Sequence, residues 1–206
     1  SIMKTQIEIY GNFTVNRPNC TSRMKSDVMD KYKKENYGKG KYYQWFGMRI
    51  DEPRRLKFIE TTKDMFSKKT INPDNTRYLA QISDFEKQDV LNWWGEMPFD
   101  LEIKEHLGNC VFCIKKGEKK IALAARQCPE LFKKWKDVMT GDSVRLMPAD
   151  KFGVGRIYRN WLTPNNLIAK FSDLSDAELN KYIYSSGGAE SGSCTESCEG
   201  EVSQID

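Results

Sequence analysis

Apolar positions along the chain recur with two periods, and these set the expected elements. Over 21–37, Met24, Val28, Met29 and Tyr32 fall at helical spacing behind Thr21 or Ser22 as a cap, and Gly38 and Gly40 close the run. Tyr42 to Ile50 is aromatic and apolar and reads as the strongest strand. Ile7, Glu8, Ile9 and Tyr10 alternate, which predicts a short strand, and Gly11 and Pro18 punctuate the first segment. Residues 78–82 predict a second strand. Asp84 is placed to cap a helix carrying Val90, Leu91, Trp93 and Trp94 that ends near Gly95 and Pro98. Trp93, Trp94 and Phe99 read as core more than as a stacking platform for bases. Two helices are expected over 117–126 and 129–139, separated at Pro129. Another starts near Pro164, and the last spans 175–184 with Ser175 as its cap. From Ser185 onward apolar residues almost vanish, which predicts a disordered acidic tail over 185–206.

Composition adds the bounds. Of the 206 residues 39% are hydrophobic and 12% aromatic, enough for one domain over 1–184 with its own core. No run approaches the roughly 18 apolar residues of a membrane span. No charged-then-apolar leader begins the sequence, so a cytoplasmic protein is expected. Six cysteines are too sparse for a disulfide scaffold and favour metal or redox chemistry. The net charge of +4 hides an asymmetry: residues 185–206 hold five acidic side chains and no Lys or Arg, so the rest sets 33 basic against 24 acidic groups. Such a body suits an anionic ligand, and nucleic acid is among the classes it admits, although no nucleic-acid-reading motif is present. A solvated lysine-rich surface is the plainer reading.

Three constellations carry candidate chemistry. The run Gly47-Met48-Arg49-Ile50-Asp51-Glu52-Pro53-Arg54-Arg55 follows the best strand. Guanidinium groups grip phosphate and sulfate in two-toothed fashion, and Asp51 and Glu52 are placed to aim them. A surface salt-bridge network is the alternative. Cys110 and Cys113 occupy a Gly/Asn turn beside His106, the single histidine. Two thiolates at that spacing hold one metal or share one disulfide, and Cys20 and Cys128 are the further ligands a zinc or iron–sulfur site requires. The alternative is a structural turn with two small buried residues. His106 reads as a loop-bonding side chain more than as an acid or base. Cys194 and Cys198 lie in the tail, where a cysteine can swing into a site as a thiolate or have no role.

Four blocks in order, Cys20-Thr21 to Lys25, Gly47 to Arg55, Pro98-Phe99-Asp100-Leu101 and His106 to Cys113, make the chain resemble the phosphoadenosine phosphosulfate reductase-like family. Its compact members on phages and mobile elements are the nearest in pattern, over roughly residues 15–170. The resemblance implies an α/β domain with a partial adenine nucleotide alpha-hydrolase-like (PP-loop) fold: a short parallel sheet flanked by helices, with a helical C-terminal half. It implies an adenine nucleotide or sulfo-nucleotide as ligand, and reduction or transfer of activated sulfur. By that match Arg49, Arg54 and Arg55 hold the anionic end, with Asp51, Glu52 and Lys25 in support. From the cysteine spacing itself, Cys110 and Cys113, joined by Cys20 and Cys128, are the expected holders of an iron–sulfur cluster or zinc. The family's Ser-Gly-Gly-x-Asp-Ser phosphate loop has no counterpart before Cys20, and its nearest match is Ser186-Gly187-Gly188-Ala189-Glu190-Ser191. An N-terminally incomplete domain is therefore expected, with sheet edge and apolar surface for a protein partner or a homodimer to cover. A non-catalytic interaction protein of a phage or mobile element on the same scaffold is the alternative.

Overall fold

A computed structural model of the chain describes residues 1–38, 41–52, 76–100, 102–108, 110–148 and 153–184. The structure mixes helix with a two-stranded parallel sheet. The chain divides into two compact units, one formed by Ser1–Asp27 with Ile103–Asp206 and the other by Val28–Glu102. The expected tail, with Cys194 and Cys198, lies outside the described residues.

The first unit opens with helix α1 (Ile2–Tyr10), where a strand is expected. The alternation of Ile7 and Ile9 misleads because only Ile7 is buried, while Ile9 is exposed. Met3 and Ile7, one turn apart, both meet the core, and the Ser1 hydroxyl accepts the Lys4 N–H to start the helix. After α1 the chain makes a bridge between Thr14 and Arg17 and then a single π-helical turn, Ser22–Ser26.

Helix α4 (Glu118–Gln127) is the centre of this unit. Six consecutive residues, Lys120 to Ala125, are buried, so the helix is enclosed rather than amphipathic. Ala122, Ala124 and Ala125 keep its surface small, and helices α5 (Pro129–Thr140), α6 (Pro164–Ala169) and α7 (Asp176–Tyr184) pack on it. Each large apolar side chain they bury contributes about 1.5–3 kcal/mol. Pro129 fixes the first turn of α5, whose Phe132, Trp135 and Met139 form one inward stripe. The Thr163 hydroxyl caps α6. Ser175 and Glu178 form a reciprocal capping box for α7, which buries Leu179 and Ile183 four residues apart. Arg126 ties the end of α4 to this cap through the Leu174 carbonyl (2.7 Å) and Asp176 (2.9 Å).

The second unit holds helix α2 (Asp27–Tyr37), strands β1 (Gln44–Phe46) and β2 (Thr76–Tyr78), and helix α3 (Lys87–Gly95). The strands are parallel with Gln44 opposite Thr76 and Phe46 opposite Tyr78, whose rings stack at 5.9 Å. The second strand starts before the expected 78–82, because Tyr78 N–H turns to the Gln81 side chain and Leu79–Gln81 winds as a 3₁₀ turn. Glu86, not Asp84, caps α3. Among the described residues of this unit Tyr78 alone is buried. Trp93, Trp94 and Phe99 are not core: they are 46%, 37% and 62% exposed and pack edge-to-face on one another at the surface. Among the described residues no helix is long and apolar enough to cross a membrane.

Candidate functional site: a cationic cleft beside a cysteine turn

The expected site residues fall in both units. Lys25 is exposed in the π-helical turn of the first unit. In the second unit, Arg49 follows β1 and turns onto Asp51, with Nε donating to Oδ1 at 2.8 Å and Nη2 to Oδ2 at 3.3 Å. Asp51 Oδ2 also accepts the Lys87 N–H at 3.0 Å, so the pair closes the start of α3. Arg49 N–H donates to Glu52 Oε2 at 2.9 Å. Burial raises the Asp51 carboxyl pKa, but the Arg49 hydrogen bond, the Lys87 N–H and the Arg49 charge outweigh it and hold the group below its ordinary value. In this geometry the run acts as an internal ion pair that joins strand to helix. Arg54 and Arg55 lie outside the described residues.

The four body cysteines are in no disulfide, and all four are half-buried. Cys20 packs against the core of the first unit. Cys128 is the joint between α4 and α5: its N–H donates to Ala124 and its carbonyl accepts from Phe132. Among the described residues no three His, Cys, Asp or Glu side chains form a set able to hold a metal ion. The expected four-cysteine ligand set is thus not assembled, because Cys20 and Cys128 are held by separate pieces of backbone. Among the described residues, these side chains do not come together as the three or four thiolates that a zinc or cluster site needs.

Cys110 and Cys113 do form one turn, with Cys113 N–H donating to the Cys110 carbonyl at 3.1 Å. The turn is fastened from three sides. Phe112 is buried at its tip, and its carbonyl accepts the Tyr158 hydroxyl, which in turn accepts the Trp135 indole N–H. Burial pushes the Tyr158 phenol far above its ordinary range, so it stays a neutral donor. Lys116 is buried, and its ammonium donates to the His106 and Gly108 carbonyls at 2.9 and 3.0 Å. His106 is fully buried between Tyr184 OH and Gln127 Oε1, each 2.7 Å from a ring nitrogen. Because the Gln127 oxygen only accepts, Nε2 carries the proton and Nδ1 accepts from Tyr184. Burial lowers the His106 pKa; the Gln127 bond raises it in part, and the charges of Lys104, Lys116 and Lys120 lower it further. His106 is therefore a neutral structural side chain.

Immediately after this turn the structure opens a cleft of about 360 Å³, lined by Gly117, Glu118, Lys119, Arg159, Lys170 and Phe171. It sits at the N-terminus of α4, where Gly117 offers no capping side chain and Glu118 is the acidic residue of the first turn. Three cations face one carboxylate, Glu118, which Lys170 engages. Lys119 lies over the Tyr182 ring at 4.3 Å. Arg159 reaches the Lys115 carbonyl at 3.5 Å, and neither it nor Lys119 pairs with a carboxylate among the described residues. The backbone beyond Arg159 is strained: Asn160 and Trp161 have φ of 54° and 56°, a left-handed pair rare for tryptophan. The Tyr158 N–H to Leu162 carbonyl bond (3.1 Å) holds this reversal closed. Sequence reasoning misses all three cations, because 119, 159 and 170 meet only through the packing of α6 on α4; the charge excess of the body is their one trace.

The chain is 36% identical over 204 residues to the uncharacterized nin region protein ORF290 of Escherichia phage lambda. The match takes in 97% of this chain and 64% of the phage protein, so the chain spans a little under two thirds of that relative's length. No family model and no solved structure matches the chain.

Proposed function

We propose that the protein binds an adenine nucleotide or sulfo-nucleotide and seats its phosphate or sulfate end in the cleft at the start of α4. The observation that carries this reading is the cleft itself, where Lys119, Arg159 and Lys170 outnumber the one carboxylate, Glu118, at a helix start with no capping side chain. The order of motif blocks that resembles the phosphoadenosine phosphosulfate reductase-like family supplies the nucleotide class and, with it, the PP-loop type of fold. Turnover, as sulfur reduction or transfer, belongs to the same proposal and calls for a partner with a Ser-Gly-Gly-x-Asp-Ser loop. The resemblance also puts Arg49 at the anion, which requires Arg49 to exchange Asp51 for the ligand.

Calorimetry with adenosine monophosphate, its 5′-phosphosulfate and inorganic sulfate separates these placements. Arg159→Ala is expected to weaken binding by about 1.5–3 kcal/mol, the size of a charge-assisted hydrogen bond, or about 10- to 100-fold in Kd. Arg49→Ala is expected to change it less. Equal affinity in wild type and Arg159→Ala rejects the cleft, and a loss confined to Arg49→Ala moves the anion to the strand end. The second reading, a phage interaction protein without turnover, is favoured by one observation, the exposed Trp93–Trp94–Phe99 cluster.

A further inference from the structure

The fastened turn at Cys110 and Cys113 has a chemistry of its own that does not depend on the anion reading. A bond from residue i+3 to residue i brings the two Cα atoms within about 7 Å, close to the span of roughly 4.4–6.8 Å that a disulfide bridges. The Tyr158 hydroxyl donates to the Phe112 carbonyl between the two cysteines and holds the middle of the turn. Both cysteines are half-buried, open enough for a small reagent. Buried Phe112 holds the tip, and the Lys116 ammonium holds the Gly108 carbonyl just upstream. The Lys116 N–H donates to the Cys113 carbonyl at 3.0 Å and holds the downstream side. The hydrogen-bonded turn keeps the two cysteines at the spacing a disulfide spans, and among the described residues no set of three or more metal-ligating side chains includes them.

We propose that Cys110 and Cys113 are a thiol–disulfide exchange pair, oxidised reversibly by a low-molecular-weight disulfide such as oxidised glutathione. One cysteine thiolate attacks a sulfur of the small disulfide and releases one small thiol, leaving a mixed disulfide on the protein. The second cysteine, as thiolate, attacks the protein sulfur of that intermediate and releases the other small thiol. The protein loses two electrons and two protons; the oxidant gains both and leaves as two thiols.

The test uses the intact chain, equilibrated in glutathione buffers from reducing to oxidising, acid-quenched, alkylated and digested with trypsin. Cys110 and Cys113 fall together in the peptide 105–115, apart from Cys20, Cys128 and the tail pair. The expected result is that both lose alkylation in concert, with an internal bond and no adduct. This should occur at an oxidant ratio at least about tenfold lower than modifies Cys128, the advantage of an intramolecular partner. Cys113→Ser should instead keep a glutathionyl group on Cys110. The proposal is overturned if Cys110 and Cys113 in wild type oxidise no more readily than Cys128. It is equally overturned if they carry separate adducts or pair with another cysteine. Wild type alone decides the question, so a misfolded variant does not obscure it.

Discussion

His106 and Lys116 place two ionisable side chains inside the first unit. The His106 pKa is lowered from its ordinary 6.5, so the folded state binds its proton less well than the unfolded state does. Its contribution to stability is complete above about pH 6.5 and is lost progressively as pH falls toward the lowered folded value. Thermal melts from pH 7.5 to 5 should show the Tm of wild type falling, and His106→Gln should flatten that slope while lowering the Tm at pH 7.5. An equal slope in both would show that His106 is not the titrating group. Lys116 is buried with its amino group donating to two carbonyl acceptors. Lys116→Met leaves both acceptors without that donor and should cost about 1–3 kcal/mol, read as a lower urea midpoint with an unchanged m value. An unchanged midpoint would mean other donors serve those carbonyls. The sequence shows His106 beside two cysteines, which tempts a reading as acid, base or ligand. Its neutral state is set by Gln127 and Tyr184, partners too distant in sequence for any local pattern to display.

At the scale of elements, Gly11 ends α1 with φ 73° and ψ −179°, a conformation almost confined to glycine. A Cβ there would also stand 2.6 Å from Met147 Cγ and 2.7 Å from the Arg145 carbonyl oxygen. Gly11→Ala should therefore destabilise by about 2–4 kcal/mol, combining left-handed strain with overpacking; chemical denaturation measures it, and a loss under about 1 kcal/mol would contradict the close packing. Leu123→Ala, at the enclosed centre of α4, is expected to cost about 2–5 kcal/mol in the same assay. The helices were legible wherever terminal residues and periodicity agreed, as at Pro129, Pro164 and Ser175. They were illegible where a short window fits both periods, as at Ile7 to Tyr10, because burial of Ile7 alone decides between helix and strand. The candidate site was less legible still. The cysteine turn is written in one stretch, but Lys119, Arg159 and Lys170 become neighbours only through tertiary packing, while the conspicuous Arg49 is engaged by Asp51 two residues away.

Over the whole molecule the two units differ in how much they bury. The first has a core running from Ile7 through α4 to Ile183, whereas the second exposes Tyr43, Trp45, Leu91, Trp93 and Trp94. Local stability follows buried apolar contact, so native-state hydrogen exchange should find the amides of α4 slowest and those of α3 among the fastest. Slow exchange throughout α3 would show that its aromatic surface is covered in solution, as a homodimer or partner requires. The layout of the first unit also bears on how the chain is made. Its opening segment is fastened by residues far along the chain: Asn12 Nδ2 donates to the Met139 carbonyl across 127 positions, and Arg145 to the Ile9 carbonyl across 136. A ribosome adding roughly 5–20 residues per second leaves α1 waiting roughly 6–25 seconds for those partners. During that interval the whole of the second unit emerges, and Ile7 and Phe13 stay without their core. Late closure by α5 leaves the apolar side chains of the first helix uncovered until well over half of these residues have been made.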